Sequence, residues 1–202
     1  MKRFAALMTA VVATFSFFCT DAKAEGHKHE GFFLRLAPGV GVMNSSEDVG
    51  SGSMKSSGTS GLFNLGIGGA IRENLILHFD ASAASVNDPK VKLNGATATA
   101  NGDLSTTLMG IGLTNYFDSN IYLTGAVGIA KTKFETNGNT YETDSGYGVN
   151  LMVGKEWMVS EKWGLGLAAQ FLYTSCPDDL GNGKKTDFNT TSFGVLFSAT
   201  YN

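Results

Sequence analysis

The sequence predicts an all-β protein, an eight-stranded antiparallel up-and-down β-barrel that crosses a membrane. Three observations carry that prediction. Apolar residues alternate with small or polar ones in eight separate runs of about ten residues, the period of a strand with two unlike faces. The connections between runs alternate between long and short from first to last, so the repeating unit is a hairpin. Glycine is abundant, 26 of 202 residues, while 16% are charged and three are proline. That composition suits many strands punctuated by turns.

The first 24 residues read as an address. Lys2 and Arg3 form a positive start, and residues 4–18 are mostly apolar but too short for a good spanning helix. Ala22-Lys23-Ala24 is a small-x-small cleavage site. Residues 1–24 are therefore expected to be a cleaved secretory signal peptide, and 25–202 one barrel domain. A lipid anchor on Cys19 is the rival reading, disfavoured because Phe17 and Phe18 stand where a lipobox takes smaller residues. Cleavage removes Lys2, Arg3, Lys23 and Asp21 from the chain's 15 basic and 18 acidic residues, leaving 12 and 17. An acidic balance excludes nucleic acid as an expected partner. Cys176 is left alone, beside Pro177 in an expected loop, and makes no internal disulfide. No later stretch approaches the ~18–20 continuous apolar residues of a membrane helix, so any span is built of strands.

His27 and His29 belong to a short polar leader, read as a solvated terminus. The first strand, 31–43, sets Phe32, Leu34, Leu36, Val40 and Val42 against Phe33, Arg35, Ala37, Gly39 and Gly41. Pro38 falls on its apolar face and cannot donate to the ladder, so a bulge or kink is expected there. A Ser/Gly-rich loop, 44–59, leads to the second strand, 60–71, with Phe63, Leu65, Ile67 and Ile71 on one face. After a tight turn at 72–74, the third strand, 75–85, sets Leu77, Phe79, Ala81 and Ala83 against Ile76, His78, Asp80 and Ser82. A loop over 86–103 precedes the fourth strand, 104–117, where Met109, Ile111, Leu113 and Phe117 oppose Gly110, Gly112, Thr114 and Tyr116. A turn at 118–120 opens the fifth, 121–134, where Leu123, Val127 and Ile129 oppose Tyr122, Thr124, Ala126 and Gly128. A polar loop over 135–144 leads to the sixth, 145–158, carrying Tyr147, Val149, Leu151, Val153 and Trp157 against Asn150, Gly154 and Glu156. A short turn near 159–162 opens the seventh, with Trp163, Leu165, Leu167, Phe171 and Tyr173 on one face. The loop 175–187 precedes the closing strand, whose odd positions from Thr191 to Tyr201 are mostly apolar and whose even positions are small or hydroxylated.

A soluble barrel and a membrane barrel both alternate, with opposite faces outward. Three features choose the membrane. The non-apolar face carries twelve glycines in this register, among them Gly66, Gly112, Gly154 and Gly166. A solvated face would carry Lys, Glu and Thr instead, whereas a crowded lumen beside Arg35, Tyr116 and Tyr122 favours glycine. Phe32, Phe117, Trp157, Trp163 and Tyr201 share the apolar face near the short turns, and Phe63, Tyr147, Tyr173 and Phe193 share it near the long loops. Two aromatic girdles around an aliphatic band match the two interfaces of a bilayer. An even strand number puts both termini at the short-turn end, the arrangement of short periplasmic turns and longer external loops.

With its hairpin pattern, its Gly-Phe-Phe-Leu-Arg-Leu opening at 31–36 and its closing strand, the whole mature chain resembles the small OmpA/OmpX-like outer-membrane β-barrel proteins of Gram-negative bacteria. The resemblance implies residence in the outer membrane, with lipid and lipopolysaccharide as surroundings. It implies recognition by the barrel-insertion machinery through the C-terminal strand, although Tyr201 is followed by Asn202 where the class usually ends on the aromatic. It also implies a monomer with a structural or cell-surface interaction role, a ligand being possible through the long loops. A narrow passive pore for small or hydrophobic solutes is the alternative.

The inward-facing set includes Arg35, Asn64, His78, Asp80, Tyr116, Tyr122, Asn150, Glu156 and Gln170. A charge inside a narrow barrel must be paired or wet, so Arg35 is expected to pair with Glu156, with Tyr116 and Tyr122 as neighbours. Arg35, His78, Asp80, Tyr116, Tyr122 and Glu156 are the candidate lumen network or gate. His78, Asp80 and Ser82 share a face and raise a hydrolase triad, but they face inward, and no catalysis, metal or cofactor is expected. Acidic loop residues such as Glu47, Glu142, Asp144 and Asp178 read as solvated, with bridging of divalent ions to lipopolysaccharide phosphates the sharper alternative.

Overall fold

The computed structural model describes residues 28–49, 52–93, 95–179 and 185–202. The expected signal peptide and His27 lie outside those residues. Eight long strands close a ring: β1 (Phe32–Val49), β2 (Gly52–Arg72), β3 (Leu75–Asn87), β6 (Asp103–Tyr116), β7 (Ile121–Thr136), β9 (Gly146–Met158), β10 (Trp163–Asp179) and β11 (Lys185–Tyr201). Each pairs antiparallel with its neighbours, and β1 pairs with both β2 and β11, which closes the barrel. Three short strands extend the outer rim: β4 (Lys90–Leu93) on β2, β5 (Ala96–Thr99) on β4, and β8 (Asn139–Glu142) on β7. Tracing paired residues once around the ring returns to β1 about ten residues from the start. With eight strands that stagger tilts them by roughly 40–45° and leaves an interior just wide enough for side chains.

The faces fall as the alternation requires. Val40, Ile111, Val127 and Ile129 point outward and are more than 60% exposed, while Arg35, Asn64, Asp80 and Asn150 point inward at 0%. A wall of bare aliphatic side chains around a polar interior is stable where hydrocarbon rather than water meets the wall. Phe32, Phe117, Trp157 and Trp163 ring the short-turn rim on the outward face. Tyr201 joins them, its ring edge-on to Trp163 at 5.4 Å. No helix of the described residues is long and apolar enough to cross a membrane.

The structure differs from expectation in its outer half. The expected loop at 44–59 is the tip of a hairpin, because β1 and β2 stay in register from Phe32↔Gly69 to Val49↔Gly52. The Ser/Gly composition of this stretch hides a continued alternation, with Ser45, Glu47, Ser56 and Ser60 buried inside. Cys176 lies within β10 and is fully buried, not in a loop. Its sulfur accepts from the Thr132 hydroxyl at 3.9 Å. Pro38 makes no bulge. The ladder to β11 skips from Leu36↔Ala199 to Gly39↔Leu196 without a change of register, so the missing N–H costs a local gap in pairing and nothing more. The register shift among the described strands lies in β2, between Ala70 and Arg72.

The short turns carry the local chemistry they need. Asn74, Ser119 and Asn120 have positive φ angles of 65°, 65° and 56°, a conformation that Asn adopts more readily than most residues.

Candidate functional site

The lumen is crossed by a chain of side-chain hydrogen bonds. Arg35 Nε donates to Asn64 Oδ1 at 3.4 Å, and Asn64 Nδ2 donates to Asp80 Oδ2 at 2.8 Å. Asn150 Nδ2 reaches Asp80 Oδ1 at 3.3 Å, and Gln170 Nε2 donates to Asn150 Oδ1 at 2.9 Å. The Ser82 hydroxyl donates to Asp80 Oδ1 at 2.8 Å. Asp80 is thus the acceptor on which donors from β2, β3 and β9 converge. A second branch leaves Arg35 from Nη1, which donates to Thr124 Oγ1 at 3.0 Å. Thr124 and Thr114 share a hydroxyl hydrogen bond of 2.7 Å, and Thr114 meets His78 Nε2 at 3.0 Å. With His78 Nδ1 against the Phe79 carbonyl at 3.2 Å, the consistent direction is Arg35 to Thr124 to Thr114 to Nε2, with Nδ1–H donating to the carbonyl.

The expected ion pair between Arg35 and Glu156 does not form. Glu156 accepts from Thr200 at 2.6 Å and from the Tyr116 hydroxyl at 3.2 Å. Arg35 instead lies over the Tyr122 ring at 5.1 Å and the Phe33 ring at 5.5 Å, and its hydrogen-bonded route to a carboxylate runs through Asn64 to Asp80. The reason is steric. Tyr122 is fully buried and occupies the space that glycine leaves open at position 154, where an added Cβ would sit 2.5 Å from the ring. Gly112 does the same for His78, whose ring covers the place of its absent Cβ. His78 and Ser82 do not meet. The His78 nitrogens are engaged with Phe79 and Thr114 while Ser82 donates to Asp80, so the serine–histidine contact of an acyl-transfer site is missing.

The short-turn end holds a group that the strand pattern did not reveal. His29 is not a solvated leader residue; it is 1% exposed and stacks on Tyr116 at 3.5 Å with the rings 12° apart. Its Nε2 meets Asn120 Oδ1 at 3.3 Å and its Nδ1 meets Asn202 Nδ2 at 2.5 Å. The backbone N–H of Asn202 donates to the Lys162 carbonyl at 3.0 Å. Asn202 therefore ties the last strand to the segment before β1 and to the turn before β10. Thr114, Thr124 and Thr200 were also absent from the predicted site. They stand on the even, inward-facing register of their strands beside predicted members, so the parity of the strands was the signal for them.

The outer mouth is a cup of about 450 Å³, lined by Glu47, Met54, Leu104, Phe134, Asp178 and Phe188 with neighbouring residues of the rim. Burial first, and then the adjacent Asp178, push the Glu47 carboxyl above its usual range. Glu142 is paired with Lys133 at 2.7 Å and Asp144 with Lys185 at 2.9 Å. Among the described residues no cluster of three metal-ligating side chains forms.

A family model described as the outer membrane protein beta-barrel domain matches residues 10–199. Among solved structures, Neisserial surface protein A is 16% identical with a TM-score of 0.51, over 84% of this chain and 96% of its own. The outer membrane protein OprG from Pseudomonas aeruginosa is 12% identical with a TM-score of 0.51, over 88% of this chain and 100% of its own. At these identities the likeness is one of fold. No curated protein matches the sequence.

Proposed function

The chain belongs to the outer-membrane β-barrel domain family and resides in the outer membrane; from that premise we propose that it is a sealed barrel with a structural or cell-surface interaction role and no catalytic one. The observation that carries this reading is the lumen. Arg35, Asn64, Asp80, Thr124 and Asn150, all at 0% exposure, are hydrogen-bonded across it from β1 through β2 and β3 to β9, with a branch to β7. Eight strands leave no room beside them for a wide path. The network acts as a plug, and the surface left for contact is the extended outer rim. The closed ring has no unpaired edge, which supports a monomer. The last strand, ending in Tyr201, is the segment offered to the insertion machinery.

A narrow passive pore for small or hydrophobic solutes is the second reading, and the outward-opening apolar cup is the observation in its favour. Single-channel recording of the refolded protein in planar bilayers separates the two. A sealed anchor is silent, and Arg35→Ala or Asp80→Ala introduces steps by removing part of the plug. Discrete steps in the native protein would overturn the reading and leave the pore.

A further inference from the structure

The outer cup combines apolar walls with acid. Met54, Leu104, Phe134 and Phe188 line it together with Glu47 and Asp178. The Glu47 side chain is only 5% exposed, and its Oε1 has no hydrogen-bond partner among the described residues. Other polar atoms lack such partners too, Arg35 Nη2 and Tyr122 Oη among them, but those lie in the sealed lumen, whereas Glu47 lines a cavity that opens outward. The one cation on the described lining, Lys133, is already held by Glu142. Glu47 is left with one oxygen unpartnered and a second carboxylate, Asp178, beside it, and two buried carboxylates in contact are costly to ionise together. A proton shared between them lowers that cost, and so does a bound cation, which the open cup can admit. Among the described residues no three carboxylate, His or Cys side chains converge to hold a metal, and the apolar walls suit a cation that carries an apolar body.

We propose that the outer mouth is a binding site for small organic ammonium ions, the ammonium resting on Glu47 and Asp178 and the apolar body against Met54, Leu104, Phe134 and Phe188. This rests on the reading of the protein as a sealed barrel with a surface-interaction role and names the ligand class for it. The groups facing Glu47 are Asp178 from β10, with uncharged Met54 from β2 and Phe188 from β11; the Lys133–Glu142 pair of β7 and β8 completes the charged lining. The bound ammonium requires Glu47 ionised, so affinity rises with pH through the raised carboxyl's titration.

The test is calorimetric titration of the mature chain in phospholipid nanodiscs with hexylammonium and, alongside, hexanol, with empty nanodiscs subtracted. Saturable hexylammonium binding at pH 7 is expected, about tenfold or more tighter than hexanol, and weakened by about tenfold in Glu47→Gln, in Asp178→Asn and at pH 4.5. Glu161→Gln removes the same charge at the opposite rim and is expected to leave affinity unchanged. Heat-modifiable electrophoretic mobility confirms that each variant is folded. Equal affinity for hexanol, no saturable heat, an unaffected Glu47→Gln, or an equal loss in Glu161→Gln would each overturn the proposal. A barrel that is silent in bilayers yet ignores hexylammonium loses only the ligand class; a conducting native barrel loses the reading beneath it.

Discussion

Removing the Asp80 carboxylate tests whether the lumen network holds the barrel together or merely occupies it. In Asp80→Ala, Asn64 Nδ2 keeps the Ser82 oxygen at 2.9 Å as an acceptor. Asn150 Nδ2 and the Ser82 hydroxyl, both at 0% exposure, lose theirs. Each orphaned donor costs ~1–3 kcal/mol. Arg35 also loses the negative charge that balances it through Asn64, and an uncompensated buried charge adds a penalty of the same order. The expected destabilisation is about 4 kcal/mol, close to a thousandfold in the folding equilibrium. Asp80→Asn keeps the shape and one acceptor oxygen but turns an amide toward the amides of Asn64 and Asn150, so about half that loss is expected. The assay is equilibrium urea unfolding in phospholipid vesicles, followed by the fluorescence of Trp157 and Trp163. A lower midpoint at unchanged slope reads as stability alone. A loss below about 1 kcal/mol in Asp80→Ala would refute the reasoning, since it would mean that the converging donors find water or new partners at no cost.

Three further perturbations follow from the same geometry. Gly154→Ala puts a methyl 2.5 Å from the Tyr122 ring and is expected to cost ~1–3 kcal/mol by urea unfolding, whereas Gly61→Ala, with nothing within 4 Å, is expected to be near neutral. His29→Ala removes the stack on Tyr116 and the contacts to Asn120 and Asn202; faster hydrogen exchange at the Asn202 amide, with the mid-barrel amides unchanged, is the expected result, and uniform protection would contradict the latch. Because Glu47 has a folded pKa raised above 4.5 by burial and then by Asp178, its contribution to stability is fully present below 4.5 and lost as pH rises through the raised value. Urea midpoints should therefore fall across that window in the native protein and stay flatter in Glu47→Gln.

The wall of the barrel was legible because lipid and lumen impose opposite demands on alternate residues, and a slip of one residue would put Arg35 in hydrocarbon. The glycines sharpened that signal. At two of these positions a ring covers the place of the absent Cβ, Tyr122 over Gly154 and His78 over Gly112, whereas others such as Gly110 and Gly128 meet the backbone of the neighbouring strand. The outer hairpins were misread as loops because Ser and Gly at 44–59 look like turn chemistry, while the inward alternation of Ser45, Glu47 and Ser56 is polar and carries no hydrophobic period. The pairing inside the lumen was misread for a different reason. Parity tells which residues face inward, but contacts across a tilted barrel depend on stagger, which is a property of all eight registers together.

That stagger also explains why a single Asn decides the electrostatics. Arg35 and Glu156 both lie toward the short-turn half, and charge alone would join them. Once Tyr122 fills the space opened at Gly154, Arg35 lies against its ring, and its hydrogen bonds lead to a carboxylate through Asn64 to Asp80. Glu156 is left to hydroxyls, Tyr116 and Thr200, and through Tyr116 to the His29 stack that joins Asn202. The two hydrogen-bonded groups thus join different parts of the barrel: the Asp80 group crosses the lumen, and the Glu156 group lies at the short-turn rim. A substitution in one should leave the other intact, whereas a single Arg35–Glu156 pair would have made both depend on one contact.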